Sequence, residues 1–245
     1  DKRSRKKSKT ILKKKKISVR RLLLKNNGLN FYQSYYLQHS PKLPLIDAKI
    51  AISKDYFTKN IKKKWISNVY SRRRVHLLRS MYDCIVSTSK SINNDNSLLN
   101  CRIDGLEKKS PDLIIIDRHL RLKKKLKLFE TVKYRKIILF TSTKNRKKIS
   151  HFKKKGLKLF IVNSIEKAKD FEDIFYILKK RKYSRILIES GLTLLSFLIT
   201  KKFVNNIYIF QSNYSLKKFG INYTDVKMIK KIRLKNKVDV NLDSD

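Results

Sequence analysis

The sequence predicts an α/β fold, in which a mixed but mostly parallel β-sheet is flanked by helices. From Pro44 onward, segments with strand character alternate with segments of helical character, which is the order that produces a parallel sheet. Residues 113–116 form a continuous apolar run, which is typical of a strand buried on both faces. Residues 171–180 place apolar side chains three and four positions apart, as expected of a helix that packs one face on a sheet.

The individual elements follow from the same two periodicities. Strands are predicted at 45–52, 84–88, 113–116, 136–141, 157–162 and 185–189, and helices at 69–82, 145–155, 171–180 and 192–201. Gly156 is expected to stop the second of these helices. Two last strands, at 204–210 and 226–240, have no helix between them, so an antiparallel edge is expected there.

The N-terminal segment differs in composition from the rest of the chain. Residues 1–27 are dominated by Lys and Arg, and taken alone they predict a disordered, poorly packed basic arm. Pro41 and Pro44 then interrupt the chain, so we place a domain boundary that divides it into 1–43 and 44–245. The chain begins with Asp1 rather than Met, which indicates a fragment or a processed product.

The net charge of +43 has two explanations. A charge of this size is typical of proteins that bind nucleic acid, and such binding would be non-specific and sensitive to salt. The chain is also rich in Lys, Ile and Asn and has only five glycines, which is the drift expected from an AT-rich genome. The charge alone therefore leaves both explanations open.

Composition excludes several classes of protein. No run of eighteen apolar residues occurs, so no membrane span is predicted, and no apolar core follows the N-terminal charges as in a signal peptide. The two cysteines, Cys84 and Cys101, lack the spacing of a metal-ligand pair and cannot form a disulfide framework. Reduced thiols in a cytoplasmic protein are the simplest interpretation.

Five sequence blocks, in the same order and spacing, resemble the reductase domain of the bifunctional deaminase/reductase of riboflavin synthesis. They are LNFYQSYYLQHSPKLPLIDAKIAIS, WISNVYSRRRVHLLRSMYDCIV, SINNDNSLLNCR, SPDLIIIDRHLRL and ILIESGLTLLSFLITKKFVNNIYIF. The first nineteen residues resemble the end of that family's zinc deaminase domain. The His-x-Glu and Pro-Cys-x-x-Cys ligands of such a deaminase are absent, so we expect no zinc or other metal and no deaminase activity.

The resemblance implies a dihydrofolate-reductase-like fold and a specific reaction. Residues 44–245 would be an NADPH-dependent reductase, and 1–43 the basic tail of a missing deaminase domain plus a linker. The substrate implied is a phosphorylated pyrimidine, 5-amino-6-(5-phosphoribosylamino)uracil, whose ribosylamino carbon receives a hydride to give the ribitylamino product. The resemblance also implies a homodimer. No Gly-x-Gly-x-x-Gly motif occurs, so a Rossmann dinucleotide site is not supported, and this fold does not require one.

Three residues are the candidate catalytic groups. Lys49 lies in a strand that is otherwise mostly apolar, and a buried lysine is rare unless it is paired. Glu189 ends a strand just before a helix, where α/β sheets place their ligands. Asp95 lies in a polar stretch that by itself predicts only a turn, and the resemblance implies its role. We expect the three to converge in one cleft, where Lys49 holds or protonates the ribose oxygen and Asp95 orients Lys49.

The resemblance also implies two sets of binding residues. Arg102 would anchor the substrate phosphate, since a guanidinium fork binds phosphate in a bidentate manner. Without the resemblance, Arg79 would be only a solvated arginine at the end of a helix. The substrate set is Lys63, Arg79, Leu99, Arg102 and Glu189, and the cofactor set is Ala51, Trp65, Ser91, Asp95, Gly191, Leu192, Thr193 and Leu194.

Departures from the family pattern keep a second hypothesis open. Tyr56 replaces a Gly, Lys63 a common Ser, Asn96 an Asp, and Ser190 a small Gly or Ala. The alternative to a working reductase is a catalytically decayed domain that acts as a basic RNA-binding or ribosome-associated scaffold. A stripe of Lys and Arg on one face would favour the scaffold, whereas an even distribution around a polar cleft would favour the enzyme.

Overall fold

A computed structural model of the chain describes residues 5–20, 28, 32, 43–63, 65–222, 230 and 237–242. Within them, the helices are α1 (Arg5–Lys14), α2 (Val69–Arg79), α3 (Ser89–Asp95), α4 (Arg146–Lys154), α5 (Ala168–Lys180) and α6 (Leu192–Thr200). The strands are β1 (Leu45–Ile52), β2 (Lys59–Asn60), β3 (Cys84–Thr88), β4 (Asp112–Ile116), β5 (Ile137–Thr141), β6 (Lys158–Ile161), β7 (Arg185–Ile188), β8 (Asn206–Gln211) and β9 (Gly220–Ile221). Short 3₁₀ turns cover Glu107–Lys109, Lys127–Lys133 and Lys217–Phe219.

Seven of these strands form one parallel sheet in the order β6-β5-β4-β3-β7-β1-β8. This confirms the predicted α/β class and the mostly parallel sheet. β7 lies between β1 and β3, so the carboxyl ends of these three strands lie side by side. β2 and β9 form a separate two-residue antiparallel ribbon.

Two apolar cores cover the two faces of the sheet. Alternate residues of β1, from Ile46 to Ile52, face a core that α5 and α6 complete. The opposite face packs against α2, α3 and α4 in a second core, to which β3, β4, β5 and β7 contribute but β1 does not. Burial of this aliphatic surface is the main favourable contribution to folding. The face of β1 that contributes nothing to the second core is the face that carries the polar residues.

The strand predicted at 204–210 forms β8 at 206–211, and β8 pairs with β1 in parallel, because a crossover through α6 returns the chain to the same end of the sheet. The predicted antiparallel edge, formed by this strand and the one at 226–240, stays a prediction. The predicted strand at 226–240 lies largely outside the described residues. Its described end, 237–240, has no regular secondary structure.

The basic arm is partly ordered, contrary to the expectation of disorder. Arg5–Lys14 form α1, because Lys and Arg are good helix formers even where nothing is buried. The side chain of Ile11 is 55% exposed, so the described part of this helix packs poorly, as expected. None of the helices in the described ranges is long and apolar enough to cross a bilayer.

Helix α3 is an element that the sequence analysis missed. Its Ser and Asn residues have modest helix propensity and predicted a polar loop that contained Asp95. The hydroxyl of Thr88 caps the first turn by accepting a hydrogen bond from the Ser91 amide. Asn96 ends the helix in the left-handed conformation, with φ of 44°. Asp95 therefore lies at the end of a helix rather than in a loop.

Candidate active site

The polar face of β1 begins with a buried carboxylate at Asp47. Its Oδ2 accepts a hydrogen bond from the Tyr82 hydroxyl at 2.6 Å, and its Oδ1 accepts one from the Asn206 side chain at 2.7 Å. Burial raises the pKa of Asp47 despite these hydrogen bonds. Tyr82 was predicted as the last residue of a helix, but α2 ends at Arg79, and the turn that follows directs Tyr82 to Asp47.

Lys49, Glu189 and Arg79 form an ion-pair cluster on this face. Glu189 directly follows β7, next to Lys49 in the register, and the Lys49 Nζ lies 3.8 Å from the Glu189 Oε2. Arg79 binds the same carboxylate in a bidentate manner, with Nε at 2.6 Å from Oε1 and Nη2 at 3.0 Å from Oε2. Lys49 also lies 5.6 Å from the centre of the Phe210 ring. Two of the three candidate catalytic residues therefore converge, and Arg79 joins them.

The electrostatics of the cluster follow from its burial. The side chains of Lys49 and Glu189 are only 16% and 6% exposed. Burial lowers the pKa of Lys49, and repulsion by Arg79 adds to this, while attraction by Glu189 partly opposes it. For Glu189, burial would raise the pKa, but the charge and hydrogen bonds of Arg79, together with Lys49, outweigh it and keep the pKa below its ordinary value. Glu189 is therefore the fixed anion, and Lys49 is the group that gives up a proton more easily than usual.

Arg102 reaches the cluster through a histidine that the sequence analysis did not select. His76 Nδ1 lies 2.9 Å from the carbonyl oxygen of Asn100, which can only accept, so Nδ1 is protonated and donates a hydrogen bond to it. His76 Nε2 then accepts a hydrogen bond from Arg102 Nη2 at 3.2 Å. Burial and the nearby arginines lower the pKa of His76 to about 4, so it is neutral at pH 7. The spacing of three residues between His76 and Arg79 on one helix was the signal that could have found it.

The predicted cofactor residues meet where α3 and α6 begin. Ser91 Oγ accepts a hydrogen bond from the Gly191 amide at 3.1 Å, which ties the two helix starts together. Gly191 is exposed and gives α6 no side-chain cap, so a ligand can approach the helix N-terminus closely. Along the first turn of α6, Leu192 and Leu194 are buried and Thr193 is exposed.

The loop after β1 contains Tyr56, at the position where the family resemblance implies a Gly. Tyr56 adopts a φ of 68°, which a glycine would adopt at little cost, and its carbonyl accepts a hydrogen bond from the Asn222 side chain. Asp55 accepts hydrogen bonds from Ser53 and from two backbone amides near residue 216, which lower its pKa to about 2. These hydrogen bonds fix the turn around Tyr56. Ala51, on the same strand, is half-buried.

Trp65 and Lys63 lie at a neighbouring cavity. Both are exposed and line a space of about 1400 Å³ between α2, β8 and residues 237–242. Phe210 belongs to the same lining, and its ring centre lies 5.6 Å from the Lys49 Nζ, but Lys49, Arg79 and Glu189 themselves do not line this cavity. Arg72 lies 5.3 Å from the centre of the Trp65 ring. The positions of Trp65 and Lys63 are compatible with contact to a ligand that extends from Lys49.

Asp95 and Leu99 lie farther along the same segment. Asp95 is exposed, and the charges that shift the pKa of Lys49 are those of Glu189 and Arg79. The role of Asp95 in orienting Lys49 therefore stays a prediction. Leu99 is buried in the second core with φ of 50°, three residues before the exposed Arg102.

Exposed basic side chains occupy both ends of the sheet in the described ranges. One group precedes strands, at 108–109, 153–154, 180–182 and 201–202, and another follows strands, at 118, 121, 123–125, 144 and 146–148. Because the two ends of a parallel sheet point in opposite directions, the exposed basic side chains of the described ranges are not confined to one end of the sheet.

Comparison with known proteins agrees with this architecture. The RibD C-terminal domain family matches residues 44–216. The riboflavin biosynthesis protein RibD of Actinobacillus pleuropneumoniae is 26% identical over 75% of this chain and 48% of its own length. A 5-amino-6-(5-phosphoribosylamino)uracil reductase of Buchnera aphidicola is 26% identical over 63% of this chain and 77% of its own length.

A solved structure shares the fold. RibD of Acinetobacter baumannii aligns with 97% of this chain and 66% of its own chain, with a TM-score of 0.75 and 19% identity. The chain thus spans about half to two thirds of the length of these RibD proteins.

Proposed function

Since the chain belongs to the RibD C-terminal domain family, we propose that it is an NADPH-dependent 5-amino-6-(5-phosphoribosylamino)uracil reductase. The observation that carries this proposal is the largely buried cluster of Lys49 in β1, Glu189 just after β7, and Arg79 at the end of α2. A largely buried lysine with a lowered pKa that is held by a carboxylate is typical of an acid–base site. The Buchnera relative named as this reductase supports the substrate.

Lys49 is proposed to supply the proton that the reaction needs. Opening of the ribose ring develops negative charge on the ring oxygen, and an ammonium group with a lowered pKa transfers a proton to it more readily. Glu189 keeps Lys49 in place, and Arg79 fixes both oxygens of Glu189. Asp95 is proposed to contact the ribose and to orient Lys49 once the substrate is bound.

Arg102 is proposed to bind the phosphate of the substrate. Its guanidinium is exposed, and the neutral His76 holds one of its nitrogens without neutralising its charge. Lys49, Arg79 and Arg102 outnumber the carboxylates of Glu189 and Asp95, so the proposed site is positive overall and attracts a phosphorylated ligand. Leu99 and Lys63 are proposed to line the pyrimidine and ribose.

NADPH is proposed to bind beside the starts of α3 and α6, where it would supply the hydride when bound. The uncapped start of α6 at Gly191, with Leu192, Thr193 and Leu194 in its first turn, suits the cofactor's phosphate groups. Ser91 fixes Gly191 in position. Ala51, Trp65 and Asp95 complete the proposed cofactor contacts. We prefer the reductase to the RNA-binding scaffold, because the family match and the ion-pair cluster support the enzyme, whereas only the net charge of +43 supports the scaffold.

The test is NADPH oxidation with 5-amino-6-(5-phosphoribosylamino)uracil as substrate. We expect Lys49→Met to lower kcat by about 10²–10⁴, the usual contribution of a positioned proton donor, while NADPH binding is retained. Lys54→Met is the matched control, because Lys54 is an exposed lysine just after the same strand, and it should keep the parent rate. Failure of the parent protein to oxidise NADPH, or full activity of Lys49→Met, would refute the proposal.

A further inference from the structure

The segment that carries Arg102 has a conformation that its own residues do not favour. Between α3 and the 3₁₀ turn at Glu107–Lys109 it contains two left-handed residues that are not glycines, Asn96 with φ of 44° and Leu99 with φ of 50°. A left-handed Leu costs on the order of 1–2 kcal/mol. Contacts from elsewhere must therefore hold residues 96–102 in place.

Four consecutive carbonyl groups of this segment accept hydrogen bonds from side chains of other elements. These bonds are Arg135 Nη2 to Leu98 O, Arg135 Nη1 to Leu99 O at 2.7 Å, Arg79 Nη1 to Asn100 O at 3.1 Å, and Ser110 Oγ to Cys101 O at 3.2 Å. Ser110 also accepts a hydrogen bond from the Cys101 amide. Every residue from 98 to 101 is thus fixed, and the next residue is Arg102.

Arg135 makes the largest share of these contacts and is itself almost fully enclosed. It is 6% exposed, and its remaining hydrogen bonds go to the Pro111 carbonyl and the Thr131 hydroxyl. All of its acceptors are neutral. Burial lowers the pKa of Arg135 to about 10, so it stays charged at neutral pH.

A buried cation held by neutral groups is costly, and an apolar residue would ordinarily fill such a position. The fork of a guanidinium can bind two adjacent carbonyls at fixed geometry, which the single ammonium of a lysine cannot do. Among the described residues, none of the hydrogen bonds of Arg135 goes to Lys49, Glu189 or Arg102. What Arg135 organises is the path of the segment that leads to Arg102.

We propose that Arg135 is a positioning residue for substrate binding: by fixing the carbonyls of Leu98 and Leu99, it holds Arg102 where the substrate phosphate binds. The inference rests on the proposed function, in which Arg102 is the phosphate anchor. Arg135 itself does not touch the substrate. The affinity for a phosphorylated substrate nevertheless depends on it, whereas the chemical step and the affinity for NADPH do not.

The kinetic test uses Arg135→Lys, which keeps the charge but loses the fork. We expect the KM for the phosphorylated substrate to rise about tenfold, as for the loss of one charged hydrogen bond, with kcat and the KM for NADPH within about twofold of the parent. Lys133→Gln is the control, because Lys133 is exposed two residues earlier, and it should match the parent. An unchanged substrate KM in Arg135→Lys overturns the inference.

The two cysteines give a second readout that needs no activity. Cys101 lies in the fixed segment and is 1% exposed, whereas Cys84 is fully buried in β3. In Arg135→Lys, a thiol reagent should label Cys101 at least about tenfold faster while Cys84 stays protected, because only the segment is released. Equal acceleration of both thiols would mean a general loss of stability, and no acceleration would mean that the segment is held without Arg135. Either result overturns the inference.

Two further variants keep the inference testable and separate from the proposed function. Thr131→Val removes the hydroxyl that accepts from Arg135 Nε and donates to the Leu128 carbonyl within the same 3₁₀ turn, and it should shift both readouts in the same direction by about two- to threefold. If Arg135→Lys does not fold, Thr131→Val decides the question by the same criteria. Arg102→Ala tests the anchor itself. If it leaves the substrate KM unchanged, the proposed phosphate contact is wrong, but if it raises KM and the position 135 and 131 variants do not, only the role of Arg135 is wrong.

Discussion

β1 and β4 belong to the same parallel sheet and are both covered by helices, yet they meet different demands. The residues of β4 from Leu113 to Ile116 are buried and apolar and supply both cores. β1 is apolar along the whole of one face, whereas its other face carries Asp47 and Lys49 between Leu45 and Ala51. Each of these polar groups has partners, so the strand tolerates them. The difference indicates that β4 serves stability, while one face of β1 is kept for chemistry.

We expect the largest loss of stability when a charge is placed in β4. Ile115 is fully buried, and Ile115→Lys would leave an ammonium group without a partner among aliphatic side chains. We expect a loss of about 5 kcal/mol or more in the free energy of unfolding, measured by urea denaturation. Ile161→Lys on the exposed face of edge strand β6 is the control and should change stability by about 0.5 kcal/mol or less. A variant at position 115 that unfolds at the parent's urea concentration would show that β4 tolerates charge as β1 does.

The same contrast explains what could be predicted from the sequence. The unbroken apolar run of β4 predicted a buried strand, because a strand that is covered on both faces has apolar residues at every position rather than at every second one. Lys49 within an apolar strand, and Glu189 at a strand end, predicted a site because each departs from the local pattern in a way that needs a partner. Their convergence is confirmed by the 3.8 Å distance between them.

What escaped prediction depends on contacts between distant segments. His76 and Arg135 look like ordinary polar residues in the sequence, and their importance comes from carbonyl groups more than twenty residues away along the chain. Helix α3 forms because Thr88 caps it, although its Ser and Asn residues favour a turn. Tyr56 adopts the left-handed conformation because the Asn222 side chain and the bonds of Asp55 fix its turn.

We expect the free energy of unfolding to fall in acid, because His76 in α2 has a lowered pKa in the folded protein. Its pKa is about 4 in the folded protein, below the ordinary value of 6.5 expected in the unfolded chain. Between pH 6.5 and pH 4 the unfolded chain therefore binds a proton that the folded protein does not, so stability falls as the pH falls through this window. For a half-buried ring, we expect this contribution to be on the order of 1–2 kcal/mol, reduced by solvent screening from the full shift.

The measurement is the free energy of unfolding at several pH values for the parent and for His76→Gln. The variant should lose less stability between pH 6.5 and pH 4, and the difference isolates His76 from the carboxylates, which titrate in both proteins. His119→Gln is the control, because His119 is exposed, and it should follow the parent. Parallel curves for all three proteins would contradict the role of His76.

The smallest expected effect is the most informative about why β1 is polar. Lys49→Met removes a buried charge, and the flexible Met side chain can fill the space beside Phe210. Glu189 keeps its bidentate partner Arg79, so no carboxylate is left unpaired. We therefore expect the free energy of unfolding to change by less than about 1 kcal/mol in either direction, although turnover is lost.

Glu189→Leu is the counterpart, because it leaves Lys49 and Arg79 as two buried cations without their shared anion. It should cost about 3 kcal/mol in the same urea experiment. A loss of more than about 2 kcal/mol in Lys49→Met would mean that the ion pair itself stabilises the sheet. The polar face of β1 would then have a structural reason to exist, and the division of roles between β1 and β4 would not hold. A near-neutral result instead leaves the reaction as the reason that a lysine is buried in this strand.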